Sequence, residues 1–148
     1  MSNTVPAWLL RVADNIQFSI GEHEATEYIE TPVLHHVPMA PEYCKNIIFW
    51  RDILVPVIDM NILHGNSATT NSQHVMVLAY QEKERMPLEY VAFTLASSPD
   101  KILVNDDDAC ELPESYPEIL RPYVLSLFNC NNQVTSILDI ARLSTGTL

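Results

Sequence analysis

A chain of 148 residues with 47% hydrophobic and 18% charged residues has the composition of one globular domain and excludes a disordered or fibrous segment. Nineteen acidic residues against eight basic ones give a net charge of −11. That field repels phosphates and anionic headgroups, which argues against nucleic acid and membrane surfaces as partners.

At the N-terminus, MSNTVPAWLLRVADN has neither the basic region nor the full apolar region of a signal peptide. No apolar run approaches the ~20 residues a membrane helix needs, so a soluble, cytoplasmic protein is expected. IQFSIG (16–21) places Ile16, Phe18 and Ile20 on one strand face, with Gly21 available for a turn. ATEYIETPVLHHVP follows as an extended segment interrupted by Pro32 and Pro38. HGNSATTNSQ (64–73) is the clearest loop and divides the chain near its middle. HVMVLAYQ and EYVAFTLA read as strands joined by the polar EKERMP, and Val91, Phe93 and Leu95 share a face of the second. KILVN is a further strand, followed by the acidic, turn-rich DDDACELPESYPE and a short helical turn at PEILRPY. VLSLF and QVTSIL form a hairpin around NCNN, whose asparagines tolerate the left-handed conformation of a tight turn.

An echo crosses the central loop. VIDMNIL (57–63) and ILDIARL (137–143) both read apolar, apolar, Asp, apolar, two variable positions, Leu. In each, a strand runs into an Asp placed to N-cap a short helix, the second with Gly146 near its end. The echo predicts two similar small β-barrels, each closed by a strand and a helical turn.

FWRDILVPVIDM (49–60) carries a charged pair and a proline inside an apolar run. Ile47–Trp50 and Ile53–Ile58 serve as hairpin arms with Arg51-Asp52 at the turn, since Asp accepts positive φ there. Pro56 cannot donate a ladder hydrogen bond, which places its arm at an edge or bulge. Two roles are open to the tip. Trp50, Arg51 and Asp52 form an exposed partner-binding anchor, because aromatics and arginine dominate binding hot spots; or Trp50 plugs a barrel end and Arg51 is solvated. A structural Arg51, bridging the barrels through Asp59 or Asp139, is a further option.

APEYCKNIIFWRDILVPVIDMNIL resembles the signature of CheW-like domains, the coupling proteins of bacterial chemosensory systems. Ala40 and Pro41 match its opening, Arg51 its arginine, and Pro56, Val57 and Asp59 its closing P-V-x-D. VLSLFNCNNQVTSILDIARL resembles the family's final hairpin and helix, and IQFSIGEHEATEYIETPVLHHVP its first strands. Three departures mark a divergent member. Trp50 replaces Leu, Asp52 replaces Gly, and Lys45 or Asn46 stands where Gly is usual; VAFTLASS also lacks the family's Asp. The tryptophan before the arginine and the later LRPYV look closer to accessory coupling proteins of type IV pilus (twitching) systems, the ChpC and PilI type. The resemblance implies an all-β fold of two small five-stranded, SH3-like barrels with short helical turns, one domain over residues 8–146. It also implies a non-catalytic adaptor without cofactor, joining the regulatory domain of a CheA-type histidine kinase to the cytoplasmic tip of a methyl-accepting chemoreceptor.

Other chemistries find little support. Cys44, Cys110 and Cys130 include no CxxC pair and no nucleophile signature, which leaves a cysteine hydrolase as the weaker alternative and inert, reduced thiols as the expectation. His35 and His36 are adjacent and face opposite sides of a strand; His64 and His74 flank the loop but lack further ligands. Asp106, Asp107 and Asp108 lack EF-hand spacing and read as a solvated turn. There is no glycine-rich phosphate loop, so no ATP site is indicated. A free-standing small-barrel module for a peptide or ligand is the different-class alternative.

Overall fold

The computed structural model describes residues 4–13, 15–66 and 74–147. The first of two sheets runs in the order β10 (Val124–Cys130), β11 (Gln133–Leu138), β2 (Ile16–Gly21), β1 (Thr4–Ala13), β9 (Asp100–Asn105). The second runs β3 (Ala25–Ile29), β7 (His74–Tyr80), β8 (Glu89–Leu95), β6 (Ile53–Ile58), β5 (Asn46–Trp50), β4 (His35–His36). Helices α1 (Met60–Leu63) and α2 (Ile140–Thr147) follow β6 and β11. The expectation of five strands per sheet holds for the first; the second gains a sixth in the two-residue β4. β1 had no counterpart among the expected strands. Its run of Ala7, Leu9, Leu10 and Val12 is buried on both faces and shows no alternation.

Both sheets curl into half-barrels, and the same device draws their edges together. The chain leaving β3 returns as β4 against β5, with His35 opposite Ile47. The chain leaving β9 returns at Ala109, which bridges Phe128, and the Cys110 N–H donates to the Leu127 carbonyl at 2.9 Å.

The two sheets do not divide at residues 64–73, of which 67–73 lie outside the described residues. β7 and β8 join the sheet of β3–β6, while β1 and β2 join that of β9–β11. The loop separates two sequence repeats that have exchanged their leading hairpins. In each repeat a Pro-Glu pair opens a 3-10 turn (Glu42–Cys44 and Glu118–Tyr123). A hairpin follows, turning at Arg51-Asp52 in one and Asn131-Asn132 in the other, all four residues at positive φ. Its second strand pairs in parallel with the other repeat's hairpin, Val57 opposite Ala92 and Ile137 opposite Ser19. The N–H groups of Asp59 and Asp139 then donate to the carbonyls of Tyr43 and Tyr123, both at 2.8 Å. Each Asp caps its helix: Asp59 Oδ1 accepts from the Asn61 N–H at 3.0 Å, and Asp139 Oδ1 from the Arg142 N–H at 3.1 Å, each cap contributing about 1 kcal/mol. Met60 and Leu63 in α1, and Ile140 and Leu143 in α2, are buried.

The main core is the seam between the sheets. Leu10, Phe18, Ile20 and Leu138 from the first meet Ile58, Leu78, Val91, Phe93 and Leu95 from the second, with both helices. Strand alternation sends the intervening residues into the barrels. Val75 and Val77 of β7 and Ala92 of β8 pack with Ile48, Trp50, Val55 and Val57 inside the second barrel. The corresponding side chains of β2 are polar and buried: Gln17 Nε2 donates to Thr135 Oγ1 at 2.7 Å and to the Cys130 carbonyl at 3.0 Å. One barrel interior is therefore apolar and the other is held partly by hydrogen bonds.

Pro56 stands in a strand with neighbours on both sides, not at an outer edge. Because Trp50 and Ile53 flank a two-residue turn and hydrogen-bonded pairs alternate, Pro56, opposite Ile47, turns its nitrogen away from β5. On that side β8 pairs only with Val57 and Ile58, so no ladder bond is lost.

Candidate docking surfaces

At the hairpin tip, Arg51 (φ 47°) and Asp52 (φ 65°) form the two-residue turn expected from the sequence. Trp50 does not share their exposure. It is only 6% exposed, its ring lies 4.8 Å from that of Tyr90, and it closes the end of the second barrel. Of the two roles open to Trp50 the barrel plug holds and the exposed anchor fails, because Trp50 has the strand parity of Ile48, which faces the interior. The Arg51 guanidinium covers the outer side of that plug, 4.4 Å from the ring centroid. Arg51 Nη2 also stands 3.5 Å from Glu27 Oε1 of β3, with both side chains well exposed. Its carboxylate partner is thus Glu27 and not Asp59 or Asp139, which cap the helices.

The opposite parity carries the surface that the sequence reading missed. Phe49 and Leu54 face each other across the hairpin and are 66% and 57% exposed. The His35 ring meets Phe49 edge-on at 5.2 Å. Beside them lies a cavity of about 310 Å³ lined by Ile29, Pro32, Val33, Ile48 and Phe49. The signal was available in FWRDIL: once Arg51-Asp52 is a two-residue turn, period-two alternation pairs Phe49 with Leu54 on the face away from Trp50. In the second repeat the matching pair is Asn129 and Val134, so this apolar face belongs to one hairpin only.

A second surface lies along the seam. Two adjoining cavities of about 390 and 500 Å³ share Gln81, Asp139 and Ala141. The first is walled by Tyr80, Leu88, Leu125 and Ile137, with His23, Glu24 and Asp139 at one side; the second adds Glu82, Lys83 and Arg142. Leu88 and Leu125 are largely exposed. Burial pushes the Glu24 carboxyl above its ordinary value. The Gly21 N–H it accepts at 3.0 Å opposes that shift, and the nearby Asp139 charge adds to it.

The remaining titratable groups have structural surroundings. Burial raises the Cys44 and Cys130 thiols above their ordinary values, which disfavours the thiolate a nucleophile requires. His74 Nδ1 meets the Tyr28 hydroxyl at 2.8 Å, whereas His64 lies against Phe18 and Tyr116, so the two histidines have separate partners. Asp106–Asp108 form an exposed 3-10 turn capped by Asn105. Among the described residues no group of three potential ligands is placed to hold a metal, and no helix is long and apolar enough to cross a membrane.

Comparison with curated proteins finds no significant match. Among solved structures, the chain is similar to the scaffolding protein TtCheW from Thermoanaerobacter tengcongensis, with a TM-score of 0.75 at 15% sequence identity, covering 95% of this chain and 92% of that one. Residues 7–147 match the profile of the CheW-like domain, almost the whole length, and the chain belongs to that family.

Proposed function

We propose that this protein is a non-catalytic, cytoplasmic adaptor of a bacterial chemosensory system, holding the regulatory domain of a CheA-type histidine kinase against the cytoplasmic tip of a methyl-accepting chemoreceptor. The observation that carries the reading is the CheW-like match over residues 7–147. Two separate surfaces on one rigid core support it. The hairpin with Phe49, Arg51, Asp52 and Leu54 offers an apolar face rimmed by charge, suited to a folded domain. The seam groove, apolar along Tyr80, Leu88 and Leu125, suits an amphipathic helix. The hairpin rests on the interior of the second barrel and the groove on the seam between the sheets, so the two partners can be held at once without competing for one surface. The Trp50-Arg51 pair and the LRPYV segment at 120–124 favour a system driving type IV pili.

The test is a ternary reconstitution. The purified chain is mixed with the kinase regulatory domain and the receptor cytoplasmic fragment of its own organism, singly and together. Simultaneous binding of both is expected. Mutually exclusive binding, or binding to neither, would overturn the reading.

A further inference from the structure

The duplicated architecture supplies an internal comparison for the seam groove. Leu125 of β10 forms part of the groove wall and is 66% exposed. Its counterpart in the first repeat, two residues after Tyr43 as Leu125 is two after Tyr123, is Lys45, ion-paired to Glu42 at 3.7 Å. The same backbone position thus carries a solvated cation in one repeat and a bare apolar side chain in the other. Glu24 and Asp139 stand beside that apolar wall, both half-buried. Neither carboxylate has an ion-pair partner among the described residues, whereas Arg11, Lys45, Arg51, Lys101 and Arg121 each have one. The two carboxylates line one cavity, the Asp139 charge adds to the rise of the Glu24 carboxyl, and each is met from within the chain by a backbone N–H and, among the described residues, no cation. They are complementary to a cation brought from outside.

We infer that the groove selects an amphipathic helix that sets apolar side chains on Tyr80, Leu88 and Leu125 and one lysine or arginine over Glu24 and Asp139. A helix satisfies its own backbone hydrogen bonds, so only its side chains meet the walls, and residues three and four apart fall on one face. The cation fixes the helix's register and direction, which the apolar contacts alone leave free. This inference rests on the adaptor reading and specifies the chemistry of the receptor-side partner.

Three variants separate the inference from the reading beneath it, with the receptor cytoplasmic fragment as probe. Glu24→Gln keeps an oxygen for the Gly21 N–H, and Asp139→Asn keeps one for the Arg142 N–H, so both carboxylate variants fold. The double variant Glu24→Gln/Asp139→Asn is expected to lose about tenfold in affinity and much of the salt dependence of binding. Leu88→Ser/Leu125→Ser is expected to lose at least as much with the salt dependence retained. Binding weakened by the leucine changes but untouched by the carboxylate changes would overturn the cation and leave the adaptor reading standing. Binding untouched by the leucine changes would remove the groove itself. A wild-type chain that does not bind the fragment would overturn both.

Discussion

Removing the Arg51 side chain tests whether the hairpin tip serves docking or the fold. Its two contacts set the scale. A guanidinium 4.4 Å above an aromatic centroid at an exposed site contributes about 0.5–1 kcal/mol. A 3.5 Å ion pair whose side chains are 65% and 44% exposed adds about 0.2–0.5 kcal/mol after solvent screening. Arg51→Ala should therefore cost on the order of 1 kcal/mol and lower the melting temperature by about 2–4 °C. Left-handed backbone at φ 47° costs an L side chain roughly 1–2 kcal/mol and glycine almost nothing. Arg51→Gly should consequently recover most of that loss despite removing the same contacts. Calorimetry and kinase-domain titration on both variants separate stability from binding. Binding should weaken in both by about 1–3 kcal/mol if Arg51 is a hot spot. A fall above about 10 °C for Arg51→Ala, or a glycine variant less stable than the alanine one, would refute the reasoning and make Arg51 a structural residue.

Trp50→Ala opens the end of the apolar barrel and should cost about 3–5 kcal/mol in denaturant unfolding, several times the effect of its neighbour; a loss near 1 kcal/mol would mean the ring is not a plug. Burial pushes the His64 imidazole below its ordinary value, so the unfolded chain takes up a proton first as pH falls. The neutral ring's contribution is present above about pH 6.5 and lost below it. NMR titration should place the His64 midpoint under 6.5, and His64→Gln should flatten stability between pH 7.5 and 5.5; a midpoint at or above 6.5 contradicts this. Because the repeats exchange their leading hairpins, fragments 1–66 and 74–148 should be unfolded apart and form one folded complex when co-expressed, as circular dichroism and gel filtration will show; either fragment folding alone would sink the exchange argument.

How much of this was legible in the sequence depends on the range of the interaction. The Arg51-Asp52 turn is readable because it sits between apolar arms and a two-residue turn is a local decision; the second hairpin is read around NCNN, of which Asn129 and Cys130 extend β10 and only Asn131-Asn132 form the turn. The caps at Asp59 and Asp139 were readable because they too are local. Val91, Phe93 and Leu95 were correctly placed on one face, but not that the face is the seam. Periodicity reports which side of a strand is buried and is silent on which strand lies beside it. The parallel pairings of β6 with β8 and β11 with β2 therefore had no local signal. For Trp50 the sequence leaves two roles open, exposed anchor or barrel plug, and strand parity with Ile48 two residues away decides for the plug although its neighbour in sequence is exposed.

The exchange of hairpins explains why an adaptor of this size can act as one body. Had each repeat kept its own hairpin, the chain would hold two barrels joined by a linker, and relative motion between them would be the default. Instead each barrel is completed by strands from the other repeat, and the shared core takes side chains from both sheets and both helices. Separating the barrels would require pulling β1 and β2 from between β9 and β11, and β7 and β8 from between β3 and β6. The β5–β6 hairpin is thus joined to the seam by hydrogen-bonded sheet, through β6 and β8, rather than by a linker. Duplication also leaves the two repeats free to diverge where they are exposed: Phe49 and Leu54 against Asn129 and Val134 at the hairpins, Leu125 against Lys45 at the seam. The buried positions that hold the exchange together, Met60 and Leu63 against Ile140 and Leu143, stay apolar in both. Divergence reaches the barrel interiors too, where buried Val55 stands against buried Thr135, but it spares the seam positions that lock the two repeats together.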